Sequence, residues 1–261
     1  MSIAHLIQKG FVTAALVGIS STALAGFVVT IEAPGVLETT ATFTPSGENG
    51  TDIKGVETFN SRPIQNNQTF QSNFGGAAHG ITGDYKGVNV IAANQYGGAG
   101  GSPNQYAVAG LQNAVKSYSI EFNKDLTYFG YWLSALDAGN RVQFYLNGAN
   151  VFTFTPANVL ALVGASGPYY GKPLDPNQGQ NQHEPYVFLN FFGEGGAAFD
   201  EIVFSQVEPV TAGYESDNHT VGIWEKKSGT PVPPSEIPLP STLLLALSGL
   251  IAVSLTRRSQ A

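Results

Sequence analysis

Apolar and polar residues alternate with period two through most of the chain, and this pattern predicts β-strands. Phe27, Val29 and Ile31 alternate with Val28, Thr30 and Glu32, and Tyr118, Ile120 and Phe122 with Ser119, Glu121 and Asn123. Phe129, Tyr131 and Leu133 interleave with Gly130, Trp132 and Ser134, so Trp132 is expected in the core. The strongest local signal is RVQFYL (141–146), then Asn147-Gly148, then VFTF (151–154). Asn-Gly between alternating runs supplies the positive φ angles of a tight hairpin, and Ala149-Asn150 predict a loop longer than two residues. Later runs are YVFLNFF (186–192) and FDEIVFS (199–205). Only residues 158–163 suggest a helix, opened by Pro156. Gly- and Asn-rich stretches at 97–104, 166–185 and 193–197 are too long for simple hairpins, so several must be covering or functional loops. Hairpins and long crossovers without alternating helices predict an all-β fold over residues 26–225, an antiparallel β-sandwich of jelly-roll type.

Composition narrows the possible functions. Twelve Lys+Arg against 19 Asp+Glu give a net charge of −7, which excludes a nucleic-acid partner that would need clustered Lys and Arg. Charged residues are only 12% of the chain, while 43% hydrophobic and 11% aromatic residues suffice for a buried core. The cysteine count is 0, so disulfides, thiolate metal sites and Cys nucleophiles are absent.

The two ends carry a different pattern. Lys9 precedes the uncharged, largely apolar run 10–24, and Ala23-Leu24-Ala25 places small residues at the −3 and −1 positions of a cleavage site. Residues 1–25 therefore read as a secretory signal peptide, with the Sec translocon as its partner. At the other end Pro231, Pro233, Pro234, Pro238 and Pro240 make residues 226–240 an extended Pro-rich linker. The run STLLLALSGLIAVSL (241–255) has no charge and is followed by Arg257 and Arg258. As a helix it reaches roughly 22 Å, and Ile237, Leu239 and snorkelling arginines narrow the gap to a bilayer core of about 30 Å. Residues 241–261 are thus expected to form a single transmembrane helix with a cytoplasmic basic tail.

The order of proline spacer, apolar run and dibasic end resembles the PEP-CTERM sorting signal of Gram-negative bacteria that make exopolysaccharide. In that family an intramembrane cysteine protease, the exosortase, reads the motif. Here Pro238-Leu239-Pro240 stands where the family has Pro-Glu-Pro. The resemblance implies a membrane-anchored precursor that reaches the cell surface or the biofilm matrix. A second resemblance is carried by YFGYWLSALDAGNRVQFYLNGAN (128–150), FLNFFGEGGAAFDEIVFSQ (188–206) and GYESDN (213–218), which look like the lectin-like sandwich cargo of many PEP-CTERM proteins. It implies a fold and a surface role, and it carries no catalytic set.

Few residues point to chemistry. His79, His183 and His219 lack a second ligand at zinc spacing and read as solvated or core histidines. No nucleophile elbow is present, and Gly-rich runs lack the following helix and Lys of a phosphate cradle. Glu215 and Asp217 lie two apart on one strand face, about 6.5–7 Å from Cβ to Cβ, which keeps open an extracellular sandwich-fold glycoside hydrolase. The leading reading is non-catalytic: a structural or carbohydrate-binding protein with an exopolysaccharide partner. Tyr96, Tyr106, Tyr169, Tyr170 and Tyr186, in or beside Gly/Asn/Gln-rich loops, are the candidates for stacking on sugar rings. A structural Ca²⁺ is the one cofactor suggested, held where first and last strands meet by Glu32 or Glu57 with Asp217 and Asn218.

Overall fold

The computed structural model describes residues 26–46, 50–110, 116–207 and 213–233. The secretory signal (residues 1–25, with Ala23 and Ala25) and residues 234–261, including Pro238, Leu239, Pro240, Arg257 and Arg258, lie outside the described residues. No helix among the described residues is long and apolar enough to cross a membrane.

The described chain is all-β with one short helix. Its strands are β1 (Gly26–Ile31), β2 (Thr42–Phe43), β3 (Lys54–Glu57), β4 (Gln65–Ser72), β5 (Gly83–Ala92), β6 (Gln105–Gly110), β7 (Ser117–Leu126) and β8 (Tyr128–Ser134). Then come β9 (Asn140–Leu146), β10 (Ala149–Phe154), α1 (Ala157–Val163), β11 (Val187–Glu194), β12 (Phe199–Gln206), β13 (Gly213–Gly222), β14 (Trp224–Lys226) and β15 (Thr230–Pro231). Thirteen strands form one sheet in the order β10-β9-β12-β7-β5-β6-β13-β8-β11-β1-β15, with β3 beside β13 and β4 beside β5. Neighbours are antiparallel.

The sheet is curled, and its aromatic residues show why. Phe144 on β9 and Phe191 on β11 lie far apart in strand order, yet their rings are 5.0 Å apart. Tyr131 on β8 and Phe204 on β12 meet edge to face at 5.1 Å. The alternation seen in the sequence drives this closure. Tyr118, Ile120 and Phe122 on β7, and Phe129, Tyr131 and Leu133 on β8, all point into a single core. Bulges let the parity change within a strand: between Phe199 and Glu201 the β12 register shifts, so Phe199, Ile202 and Phe204 share the inner face.

Two local expectations are corrected. The hairpin after β9 has a two-residue loop, Asn147 (φ 52°) and Gly148 (φ 76°), because Leu146 pairs directly with Ala149. The irregularity anticipated there is displaced into β10 as a bulge between Asn150 and Phe152. The expected linker also starts later than residue 226. Lys226 pairs with Thr42, Thr230 and Pro231 pair with Ile31 and Thr30, and the Val232 amide donates to the Val29 carbonyl at 2.9 Å. Between β10 and the β1/β15 edge the curl leaves a groove of about 610 Å³, lined by Phe27, Val29, Val151, Phe152, Phe154 and Pro231 among others.

Candidate functional site

Strand β13 organises the polar interior of the molecule. It is buried along its whole length, so both of its faces are covered. Tyr214 and Ser216 face the core, and Glu215 and Asp217 face outward. Asn218, at φ 49°, takes up an extra residue where the register to β8 shifts. The parity then reverses, and His219 and Val221 face the core.

The inner thread is closed to solvent. His219 Nδ1 lies 3.0 Å from the Tyr85 hydroxyl and Nε2 3.0 Å from Ser216 Oγ, which in turn sits 2.7 Å from the Tyr118 hydroxyl. Phe204 stacks on the imidazole at 5.2 Å and Phe59 meets it edge-on at 4.9 Å. Burial pushes the His219 pKa down to about 3, so the ring is neutral and serves as a hydrogen-bond junction within an aromatic core.

The outer face is roofed by the two Gly-rich loops. Trp132 on β8, Tyr186, Phe188 on β11 and Ala99 of the first loop form a small apolar cluster separate from the main core. Trp132 is thus buried, but on the outer face. Above its ring, 4.5 Å from the centroid, lies the ammonium of Lys172, whose residue is only 2% exposed. Lys172 Nζ donates to the carbonyls of Gly97, at 2.9 Å, and of Gly98. Asp217 Oδ2 accepts the Ala99 amide at 2.6 Å, and Oδ1 accepts the Asn218 amide at 2.7 Å. Glycine is required here for close approach: a Cβ on Gly97 would lie 2.3 Å from the Tyr106 ring.

Burial dominates the electrostatics. It raises the Asp217 pKa to about 8, against the Ala99 and Asn218 hydrogen bonds and the charge of Lys172. Glu215 is likewise raised to about 8 by burial, opposed by a bond from its own amide and reinforced by Asp137 and Glu184. Lys172 is pushed down to about 8 by burial, with Asp217 acting against that. The two acids expected on one strand face do share it, but neither is solvated. A retaining hydrolase needs one carboxyl protonated and its neighbour ionised. Here both shift the same way, so their environments do not divide those roles.

The five candidate tyrosines separate. Tyr106 and Tyr186 join the roofed face, their hydroxyls donating to Asn94 Oδ1 at 3.0 Å and to the Gln95 carbonyl at 2.5 Å. Tyr96, beside them in sequence, is 41% exposed. Tyr169 packs against the main core and donates to the Glu32 carbonyl at 2.9 Å, and Tyr170 donates to the Gly164 carbonyl at 2.5 Å.

Of the residues suggested for Ca²⁺, Glu57 on β3 lies opposite His219 of β13, close to Asp217 and Asn218, whereas Glu32 follows β1, which β8 and β11 separate from β13. The first strand pairs with β11 and β15, whereas β13 pairs with β3, β6 and β8. Glu32 accepts from the Thr40 amide and hydroxyl, Asn190 and Ser228. Glu57 accepts from the Phe59 amide and Ser72 and pairs with Arg62. Asn218 donates to the Leu37 carbonyl at 2.9 Å. Among the described residues no group of three or more carboxylates or histidines is arranged to hold a metal. Melting midpoints in EDTA and in millimolar CaCl₂ are therefore expected to agree within about 1 °C; a rise of several degrees with calcium would place a site elsewhere.

Lys172 and the Trp132 cluster escaped the sequence reading. Lys172 is a lone cation in an irregular loop, and only its aromatic neighbours Tyr169 and Tyr170 marked that stretch. No family model, curated protein or solved structure matches the chain.

Proposed function

We propose that the chain is an exported, exosortase-sorted protein of the cell surface or biofilm matrix of a Gram-negative bacterium. Its role is non-catalytic, structural or carbohydrate-binding, and its cargo is a lectin-like jelly-roll sandwich. The observation that carries this reading is the order of Pro-rich spacer, uncharged apolar run and Arg257-Arg258 at the C-terminus, paired with a small-x-small site before Gly26. The curled sheet is compatible with a sandwich, since β5, β7, β12 and β9 face β13, β8, β11 and β1 across one core. The non-catalytic half rests on the deep ionisable groups: His219, Asp217 and Lys172 are each tied to fold-holding partners.

The double substitution Pro238→Ala/Pro240→Ala tests the sorting signal. In an exosortase-positive host the altered chain is expected to accumulate as an unprocessed membrane precursor, read by immunoblot of membrane and extracellular fractions. Processing at the normal rate would remove the motif's role. Intact residues 1–25 on a cytoplasmic protein would remove export altogether.

A further inference from the structure

Residues 97–101 read Gly-Gly-Ala-Gly-Gly, and Ala99 places its methyl on Trp132, Tyr186 and Phe188. Ala99 is the only residue of the five with a side chain, so apolar burial by the loop itself contributes little, on the order of 1 kcal/mol. Polar contacts hold it down instead. The peptide group joining Gly98 to Ala99 is gripped from both ends, its carbonyl by the Lys172 ammonium and its N–H by the Asp217 carboxyl. Farther along, Asn60 Nδ2 donates to the Gly100 carbonyl at 3.0 Å while Asn60 Oδ1 accepts the Gln105 amide at 3.0 Å. Gly98, Gly100 and Gly101 have φ of 97°, 110° and 97°, and glycines leave the raised loop many backbone states. A segment with few apolar contacts and a small set of polar ties belongs to the low-stability end of a fold.

Beneath the loop lies an unusual surface for a β-domain's outside. The rings of Trp132 and Tyr186 are 5.7 Å apart at 32°, with Phe188 in the same cluster. Lys172, Asp217, Glu215 and Glu184 are charged groups around them. Aromatic faces flanked by a few convergent polar groups are what a sugar ring needs, its C–H face stacked and its hydroxyls bonded.

We propose that residues 97–101 are a lid, latched by Lys172 and Asp217, over an aromatic platform of Trp132, Tyr186 and Phe188 that takes sugar rings. The saccharide half rests on the carbohydrate-binding reading above, whereas the lid stands on the contacts alone. Lifting the lid frees Lys172 from two carbonyls and Asp217 from an amide, and both then become partners for hydroxyl groups.

In a Trp224→Phe background Trp132 is the only tryptophan, and its fluorescence reports the lid. Lys172→Met and Asp217→Asn are each expected to raise acrylamide quenching at least twofold and red-shift the emission, with far-UV circular dichroism unchanged. Unchanged quenching in both variants overturns the latch. If a variant loses its sheet signal, amide exchange in the unsubstituted protein decides. The Ala99 amide should exchange at least tenfold faster than that of Leu133 on β8, and equal protection overturns the lid. Cellohexaose and maltohexaose then probe the platform in the latch variants. A saturable fall in quenching supports sugar stacking, and no change with either overturns the saccharide assignment while Trp132 exposure still judges the lid.

Discussion

Urea midpoints are expected to fall as pH rises from 5 to 8. Glu215 and Asp217 are raised to about 8 by burial in the fold and return to the ordinary carboxyl range near 4 when the chain unfolds. A carboxyl with a raised folded pKa stabilises the fold fully below its unfolded pKa, and this is lost as pH climbs through the folded value. With shifts of about four units, each group removes roughly 5 kcal/mol between pH 4 and pH 8. His219 acts in the opposite sense. Its pKa is lowered to about 3, so the stability it contributes is complete above its ordinary 6.5 and is lost as pH falls towards 3. Lys172, lowered to about 8, contributes stability that is complete above its ordinary 10.5 and fades as pH falls through 8, so it offsets the carboxyls only at the upper edge of this window. From pH 6.5 to 8 the two carboxyls dominate, with a slope of at most a few kcal/mol per pH unit. Glu215→Gln should remove about half of that slope. Midpoints that rise between pH 5 and pH 8 would show that these carboxyls are not buried as described.

Phe144→Ala is expected to be the most damaging core truncation. The Phe144 side chain is fully buried on β9 and touches Phe27 on β1, Phe129 on β8, Phe152 on β10, Phe191 on β11 and Phe199 on β12. Those rings come from both halves of the curled sheet, so one deletion leaves a cavity where the halves meet. The expected loss is about 3–5 kcal/mol, read as a lowered urea midpoint at unchanged m-value. Phe70→Ala, which removes a half-buried ring stacked on Tyr85, should cost clearly less. Equal losses would mean that the core is not continuous across the curl.

What could be read from the sequence was the set of strands whose alternation is apolar on one side. Tyr118, Ile120, Phe122, Phe129, Tyr131 and Leu133 lie on the inner face as their spacing requires. Strand β4, QNNQTFQS, was not legible: it lies beside β5 off the main strand path, with most of its residues exposed or half-buried, so its pattern carries little apolar signal. Strand β13 was legible only in part. Its alternation reverses at Asn218, and a period-two pattern cannot reveal a bulge held by one left-handed residue. The site was harder still. Glu215 and Asp217 were recognisable as a pair on one face, but their burial is created by loops whose glycines give no periodic cue. Lys172 is brought to Trp132 by chain folding across forty residues, and no local rule encodes that approach.

Both ends of the strand order are unsuited to growth. At one end β10 carries the extra residue Val151, which breaks the regular spacing of its outer backbone groups. At the other, β15 is two residues long and one of them is Pro231, which has no N–H to offer. A neighbouring molecule that tried to add its own strand would find mismatched spacing on one side and a missing donor on the other. A third free edge, β4 beside β5, is interrupted by register shifts around Gln68, so molecules packed densely in a shared layer would resist zipping edge to edge into fibres, and cohesion between them would come from their faces or from a third component.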